Sequence, residues 1–199
     1  MTCVQRLLRL ALAVFASASP LLAFDAPGYS WPTGNVTLQL QLGRPAGTLI
    51  DGAIHWDDVA AAAGDTWNAV LQRSRFAFVR NSTAPKSRGN SFNNVFFDST
   101  TYGQAFGNRV LAVTLLRSSG SRLVEADVIV NTAPTWNSYR GGSRSSVDLQ
   151  RVLVHEFGHV LGLDHPDQAQ PPQSVTAIMN SMISGVYTLQ NDDLAGATA

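Results

Sequence analysis

Cysteine, lysine and glutamate are scarce in this chain. Its 199 residues include one cysteine, Cys3, one lysine, Lys86, and two glutamates, Glu125 and Glu156. Basic and acidic residues balance at 14 each, which argues against a nucleic-acid-binding protein, and 45% of the residues are apolar, which argues against a disordered chain. The length fits one globular domain, with or without a processed segment.

The first 23 residues differ in composition from the rest. Met1–Ala23 carries Arg6 and Arg9 near its start, continues with the apolar run Leu10–Phe15 and then contains small residues, which is the pattern of a secretory signal peptide. The apolar run is shorter than the roughly 20 residues that a membrane-spanning helix needs. We therefore predict cleavage after Ala18 or Ala23 and a single secreted, extracellular domain over residues 24–199.

Cys3 falls within this predicted signal, so the mature chain would contain no cysteine. That excludes disulfides, a thiol nucleophile and thiolate metal ligands. Without the two signal arginines, 12 basic residues face 14 acidic ones, a formal charge of −2, which does not point to a nucleic acid or another polyanion as partner. We expect a monomer that folds without covalent cross-links.

The hydrophobic pattern predicts one α+β domain. Val36–Leu42 alternates apolar and polar residues, as a half-buried strand does, whereas Trp56–Leu71 carries apolar residues at helical spacing. The run Pro134–Ser146 is predicted to be irregular. Further strands are predicted at Phe76–Arg80, Val95–Asp98, Val110–Leu116 and Val124–Asn131.

A second helix is predicted over residues 147–161. Ser145 and Asp148, near its start, resemble a capping box. It contains His155 and His159. These two residues differ by about 40° around the helix axis and about 6 Å along it, so both imidazoles can bind one metal ion.

A glutamate and a third histidine extend this pattern. Glu156 lies beside the predicted metal position without necessarily binding the ion. Gly162 can adopt the positive φ that ends a helix, which lets the chain turn and bring His165 to the same point. Three neutral nitrogens and an open fourth position describe a catalytic zinc site. With this chain's residue frequencies, the pattern His-Glu-x-x-His-x-x-Gly-x-x-His would arise by chance in roughly one chain in a million, whereas a lone histidine such as His55 is normally structural.

The same segment resembles the metzincin metalloproteases. His155–His165 is followed fourteen residues later by Met179, and metzincins carry a methionine-containing turn beneath their zinc. The segment Leu161–His165 and the strand-like Glu125–Val130 are most similar to the matrixin branch, especially its short bacterial members. The resemblance covers about residues 31–195.

The resemblance implies a zincin-like fold with a mixed, twisted sheet of about five strands, a long N-terminal helix, a central active-site helix and a short C-terminal helix. It also implies hydrolysis of a polypeptide substrate, with one catalytic Zn²⁺ held by His155, His159 and His165. Glu156 would be the general base, and Met179 would support the site without binding the metal.

The substrate-binding parts follow from the same resemblance. The strand around Val110–Leu115 would be the sheet edge that pairs with an extended substrate. The loop Pro166–Ile178 would wall the pocket just past the cleaved bond.

Several residues depart from the family pattern. Pro166 follows the third histidine where matrixins usually have serine, and Ser181 occupies the position of a tyrosine in serralysins and astacins. The sequence contains no Pro-Arg-Cys-Gly motif, and the first family-like strand begins near Val36. We therefore expect no inhibitory propeptide and no cysteine-based latency.

Other metals and other functions stay open at this point. An additional structural zinc would need further histidines, and only His55 remains. Glu125 is expected to be an exposed acid on a strand. A secreted zinc-containing binding or adhesion module without activity, and a zinc hydrolase of non-peptide amides, are alternative functions. Calcium is an alternative second metal, with Asp98, Asp127, Asp192 and Asp193 as candidate ligands, although solvated acids are the commoner case.

Overall fold

The computed structural model describes residues 28–198. The predicted signal peptide and its cleavage sites lie outside these residues. Residues Pro166–Gln168 form a single turn of 3-10 helix, after the α-helix that ends at Leu161. The elements in chain order are β1 (Gly34–Gln41), α1 (Trp56–Asn68), β2 (Ser74–Val79), β3 (Asn93–Asp98), β4 (Thr100–Thr101), β5 (Gln104–Ala105), β6 (Ala112–Ser119), β7 (Arg122–Asn131), β8 (Trp136–Asn137), β9 (Val147–Asp148), α2 (Leu149–Leu161) and α3 (Asn191–Thr198).

The main sheet has five strands in the order β2-β1-β3-β7-β6. The first four are parallel, and β6 runs antiparallel to β7 at one edge. Along β1, the side chains of Val36, Leu38 and Leu40 are buried and alternate with more exposed polar ones, as the period-two pattern predicts. The mixed five-stranded sheet with its three α-helices confirms the predicted α+β fold.

Helix α1 packs against α2 through small residues and one tryptophan. Ala60 and Ala63 are completely buried, and the Trp67 indole donates a hydrogen bond to the Val154 carbonyl at 2.8 Å. The helix ends at Asn68, three residues before its predicted end. It ends there because the Asn68 amide side chain pairs with the main chain of β2, which turns the chain away from the helix axis.

The predicted capping box at the start of α2 is wrong. The N-cap is Asp148, and no side chain caps the helix. Residues Val147–Asp148 pair instead with β8, a short strand inside the segment that was predicted to be irregular. The Asp148 carboxylate accepts the Tyr139 N–H at 3.3 Å and lies 3.8 Å from the Arg151 guanidinium.

Glu125, which was predicted to be exposed, is only 1% exposed. Its carboxylate accepts hydrogen bonds from the main-chain N–H groups of Gly89 and Ser91, and an Arg117 nitrogen lies 3.9 Å away. The prediction was wrong because the loop formed by residues 85–92 covers this face of β7, and strand alternation does not reveal which face a distant loop covers.

Asp127 lies two residues further along β7 and is also 1% exposed. It accepts the Asn94 N–H at 3.0 Å and the Tyr102 hydroxyl at 2.8 Å. We call Glu125 and Asp127, with the donors that surround them, the carboxylate anchor, because Glu125 fixes the loop of residues 85–92 to β7, while Asp127 bonds to Asn94 of β3 and to Tyr102.

Within residues 28–198, no helix combines the length and the apolar character needed to cross a membrane.

Candidate metal centre and substrate cleft

Helix α2 turns its apolar side to the core and two histidines toward a cleft. His155 and His159 lie on the cleft side of the helix and are half-buried. The positions that face the core are fully or nearly fully buried, namely Val152, Leu153, Phe157 and Val160. The amphipathic pattern of the sequence therefore places both imidazoles where a ligand can reach them.

The helix ends at Gly162, as predicted, with φ of +97°. Its N–H bonds to the His159 carbonyl at 2.9 Å, and a Cβ at this position would lie 2.7 Å from the Tyr29 carbonyl oxygen. Glycine is thus required by the backbone conformation and by the close approach of a second chain segment. The turn that it makes carries His165 back toward α2.

The three predicted histidines meet at one point. Their Nε2 atoms form a triangle with sides of 3.0, 3.1 and 3.2 Å. Tetrahedral zinc with Zn–N bonds of about 2.0–2.1 Å separates its nitrogen ligands by roughly 3.3–3.4 Å, so a small outward movement would fit these nitrogens to that ion. No other group of three histidine, cysteine or acidic side chains in the described part of the chain is close enough to hold a metal.

The opposite nitrogen of each ring faces an acceptor. The three Nδ1 atoms lie 2.8 Å from Ile178 O, 2.7 Å from Leu163 O and 3.1 Å from Gln168 Oε1. These partners assign the proton to Nδ1, because a carbonyl oxygen can only accept. With these tautomers the three Nε2 lone pairs converge on one point, which is the arrangement that a metal ion would bind. The Nδ1 hydrogen bonds also fix the ring orientations that a metal needs.

The protonation state of His159 suits a metal ligand. Burial lowers the pKa of His159 to about 4, although the nearby Glu156 carboxylate acts in the opposite direction. The imidazole is then neutral at physiological pH, which is the form that binds zinc.

Glu156 lies next to the triangle and is 6% exposed. The Thr114 hydroxyl, on β6, donates to Glu156 Oε2 at 2.6 Å. Sequence analysis missed Thr114 because the contact depends on how β6 packs on α2. The only signal in the sequence is a hydroxyl at an inward position of an otherwise apolar strand face.

Met179 lies beneath the histidines and is 2% exposed. A Cβ at Gly158 would overlap the Met179 sulfur, so the methionine fits only because α2 has a glycine there. The Asp193 carboxylate, on α3, accepts the N–H groups of Ile178 at 2.9 Å and Met179 at 3.1 Å. This acid therefore holds the turn that also supplies the acceptor for the first histidine.

The two departures from the family pattern lie together. Pro166 starts the 3-10 turn, and the next residue, Asp167, accepts hydrogen bonds from the Ser181 N–H at 2.8 Å and the Ser181 hydroxyl at 2.6 Å. Partial burial raises the pKa of Asp167, but these bonds lower it more, so it lies below its usual value. Ser181 thus links the segment after His165 to the methionine turn.

A cleft of about 710 Å³ lies in front of the three histidines. One wall is the edge strand β6 with the preceding residues, and the other consists of residues from Ile178 to Val186. The prediction that Pro166–Ile178 walls this pocket is corrected, because only Ile178 from that loop reaches the cleft. The rest folds back on itself, with the Gln173 N–H bonded to Pro166 O at 3.0 Å.

Arg151 is a second cleft residue that sequence analysis missed. It is 4% exposed, and its guanidinium donates to Gly141 O at 2.5 Å and Ser184 O at 2.7 Å. With Asp148 beside it, this charge is balanced within the protein.

The candidate calcium ligands receive no support. The Asp127 and Asp193 carboxylates accept hydrogen bonds from the protein, and Asp98 accepts the Thr100 N–H at 3.0 Å. Among residues 28–198, no three carboxylates lie close enough together to hold one metal ion. His55 precedes α1 and belongs to no such group either.

A helix that contributes two imidazoles to a three-nitrogen cluster, beneath the edge strand of a mixed sheet, defines a metallopeptidase-type domain. The sequence profile of the matrixin peptidase family matches residues 43–199. The match covers most of the chain, so the chain belongs to the matrixin family, and the resemblance seen in the sequence is confirmed. Membership supports a zinc metallopeptidase type of domain.

No curated protein matches the chain. Similar solved structures include the GM1-bound form of the ECX AB5 holotoxin, with 16% identity and a TM-score of 0.38 over 68% of this chain and 54% of that chain. The chain thus spans about half the length of the holotoxin chain that it matches.

Proposed function

We propose that the protein is a secreted zinc endopeptidase in which His155, His159 and His165 hold the metal and Glu156 is the general base. The observation that carries this proposal is the triangle of three Nε2 atoms with no side longer than 3.2 Å, in rings whose Nδ1 atoms all face acceptors. Nε2 atoms placed in this way are acceptors that converge on one point, as the ligands of a single metal ion do.

A zinc ion held by His155, His159 and His165 would supply Lewis acidity, which activates water as a nucleophile and polarises a substrate carbonyl. The Glu156 carboxylate, beside the triangle, takes the proton of the attacking water and passes it to the leaving amine. Strand β6 forms the sheet edge beside the cleft, so its outer main-chain groups bind an extended polypeptide by strand addition.

Secretion is supported by the composition of Met1–Ala23 alone. Expression of the full chain in a secreting host, followed by N-terminal sequencing of the exported protein, tests it. A mature N-terminus at Ser19 or Phe24 is expected. Retention of residues 1–23 on a protein found inside the cell would contradict it.

The activity is tested by incubating the purified protein with an unstructured polypeptide and sequencing the new termini by mass spectrometry. We expect one zinc per chain, internal cleavage that a zinc chelator stops, and recovery when zinc is added back. Glu156→Gln should keep the zinc and lose activity by a factor of about 10² or more. Zinc binding without cleavage would favour the binding module, and cleavage that persists in the Glu156→Gln variant would remove Glu156 from the mechanism.

A further inference from the structure

We propose that Thr114 is a positioning residue for Glu156: its hydroxyl holds Oε2 so that Oε1 is directed to the water that the carboxylate deprotonates. This inference rests on the proposed role of Glu156 as the general base. Nothing in the sequence motif around α2 assigns a function to β6 side chains.

The distance identifies a strong hydrogen bond. Thr114 Oγ1 lies 2.6 Å from Glu156 Oε2 and 3.3 Å from the Glu156 main-chain oxygen. A hydroxyl has one proton, and the shorter contact is in the range of a bond to an ionised carboxylate. Within residues 28–198, Thr114 is the one protein donor that bonds to this carboxylate.

The hydroxyl is held firmly by the sheet. Thr114 pairs with Val128 of β7, and its side chain lies on the same face as Ala112 and Leu116, both of which contact the apolar core. A branched Cβ restricts the χ1 angle of threonine. Because Glu156 is only 6% exposed, bulk water is a poor substitute for this donor.

The arrangement also connects the base to the substrate. Strand β6 is the edge strand of the sheet and lines the cleft. One strand therefore fixes both the general base, through Thr114, and the extended substrate, through its outer main-chain groups. A fixed register between the base and the scissile bond follows, and errors of about 1 Å in such a register can cost 10²-fold in rate.

The test compares Thr114→Val, which keeps the shape and removes the hydroxyl, with Thr114→Ser, which keeps the hydroxyl. We expect Thr114→Val to lower kcat about tenfold or more, with KM, zinc content and Tm nearly unchanged. Thr114→Ser should restore most of kcat. Thr37→Val, on β1, removes a threonine hydroxyl from the same sheet away from the cleft and should leave kcat unchanged. If the Thr114→Val variant does not fold, Thr114→Ala, which also removes the hydroxyl, takes its place in the comparison with Thr114→Ser.

A double-mutant cycle separates this role from general damage. In a Glu156→Gln background, Thr114→Val should cause no further loss of the residual activity, because the group that it positions is already inactive. A normal kcat in Thr114→Val, or a raised KM with normal kcat, would overturn the positioning role and leave the role of Glu156 standing. Full activity of Glu156→Gln alone would instead refute the proposed function on which it rests.

Discussion

The two glutamates of this chain are both buried, yet their surroundings differ. Glu125 is 1% exposed and Glu156 is 6% exposed. Glu125 accepts two main-chain N–H bonds and has Arg117 nearby, whereas Glu156 receives one hydroxyl and faces three imidazoles. A buried carboxylate needs hydrogen-bond donors. A carboxylate whose oxygens are fully bonded by protein donors therefore indicates a structural role, and one with few protein donors indicates a reactive role. Burial alone would not have distinguished the two.

The same contrast separates two clusters of polar groups. In the carboxylate anchor, the protein supplies donors to both acids, and burial raises the pKa of Asp127 in spite of the bonds from Asn94 and Tyr102. In the histidine triangle, all donors point outward and three lone pairs point inward. One cluster is complete within the protein, whereas the other presents three acceptor nitrogens to one point, as a metal site would.

The largest effect should come from removing one nitrogen of the triangle. His159→Ala should weaken zinc binding by more than about 10²-fold, since losing a residue that merely supports a ligand already costs 10–100-fold. Activity at limiting zinc should disappear with it. Equilibrium titration against a competing chelator measures the affinity, and His55→Ala is the matched control because His55 lies outside the triangle.

The metal-free form provides an independent readout for the same variant. With no cation present, His159→Ala relieves the crowding of three Nε2 atoms but loses the Nδ1–H bond to the Leu163 carbonyl, so the metal-free Tm should change little. The stabilisation that added zinc gives to the parent protein should be lost. A metal-free variant that is clearly less stable, with its zinc affinity intact, would mean that the triangle is a structural cluster.

The next prediction applies one substitution at both glutamates. Glu156→Gln should lower activity by a factor of about 10² or more and change stability little, because an amide can still pair with the Thr114 hydroxyl. Glu125→Gln should cost about 1–3 kcal/mol of unfolding free energy, because its amide nitrogen cannot accept a main-chain N–H. Its activity per folded molecule should stay normal.

Urea unfolding and initial rates on the same samples separate the two outcomes. Both variants carry the same chemical change, so each is the control for the other. If both lost activity in proportion to stability, the contrast between a structural and a reactive glutamate would be wrong.

Local patterns in the sequence predicted the regular elements and the histidine cluster. The helical spacing of His155 and His159 and the glycine at 162 are short-range features, and they bring His165 into place. The periodic strands were found for the same reason. The two-residue strands β4, β5, β8 and β9 were missed because no periodicity exists at that length.

What the sequence did not reveal depends on packing between distant segments. Thr114 meets Glu156 across 42 residues of chain, and Glu125 meets Ser91 across 34. Neither contact leaves a local pattern. The capping box shows the reverse error, since the pattern at Ser145 and Asp148 exists but the short β8–β9 ladder pairs Asp148 with Asn137, and the helix begins only after Asp148.

The contact between α2 and the methionine turn should tolerate little added volume. An alanine normally stabilises a helix interior by about 1 kcal/mol relative to glycine. At Gly158, however, the new Cβ would overlap Met179 and lie 3.0 Å from Trp67 Cζ2, so Gly158→Ala should destabilise by about 1–3 kcal/mol. Thermal unfolding measures it, with Gly47→Ala, whose Cβ would meet nothing within 4 Å, as control. A raised Tm for Gly158→Ala would contradict the tight packing beneath the histidines.

The smallest effect should come from Ser181, whose hydroxyl and N–H are saturated by Asp167 although the residue lies at the cleft. Ser181→Ala removes the 2.6 Å hydroxyl bond and keeps the N–H bond, so the loss should be about 0.5–1 kcal/mol at this partly exposed site. If donor saturation marks a structural role here as it does at Glu125, kcat should change less than twofold while Tm falls slightly. A large fall in kcat with normal Tm and zinc content would show instead that a saturated group beside the metal centre takes part in the reaction, and the distinction drawn between the two glutamates would not extend to hydroxyls.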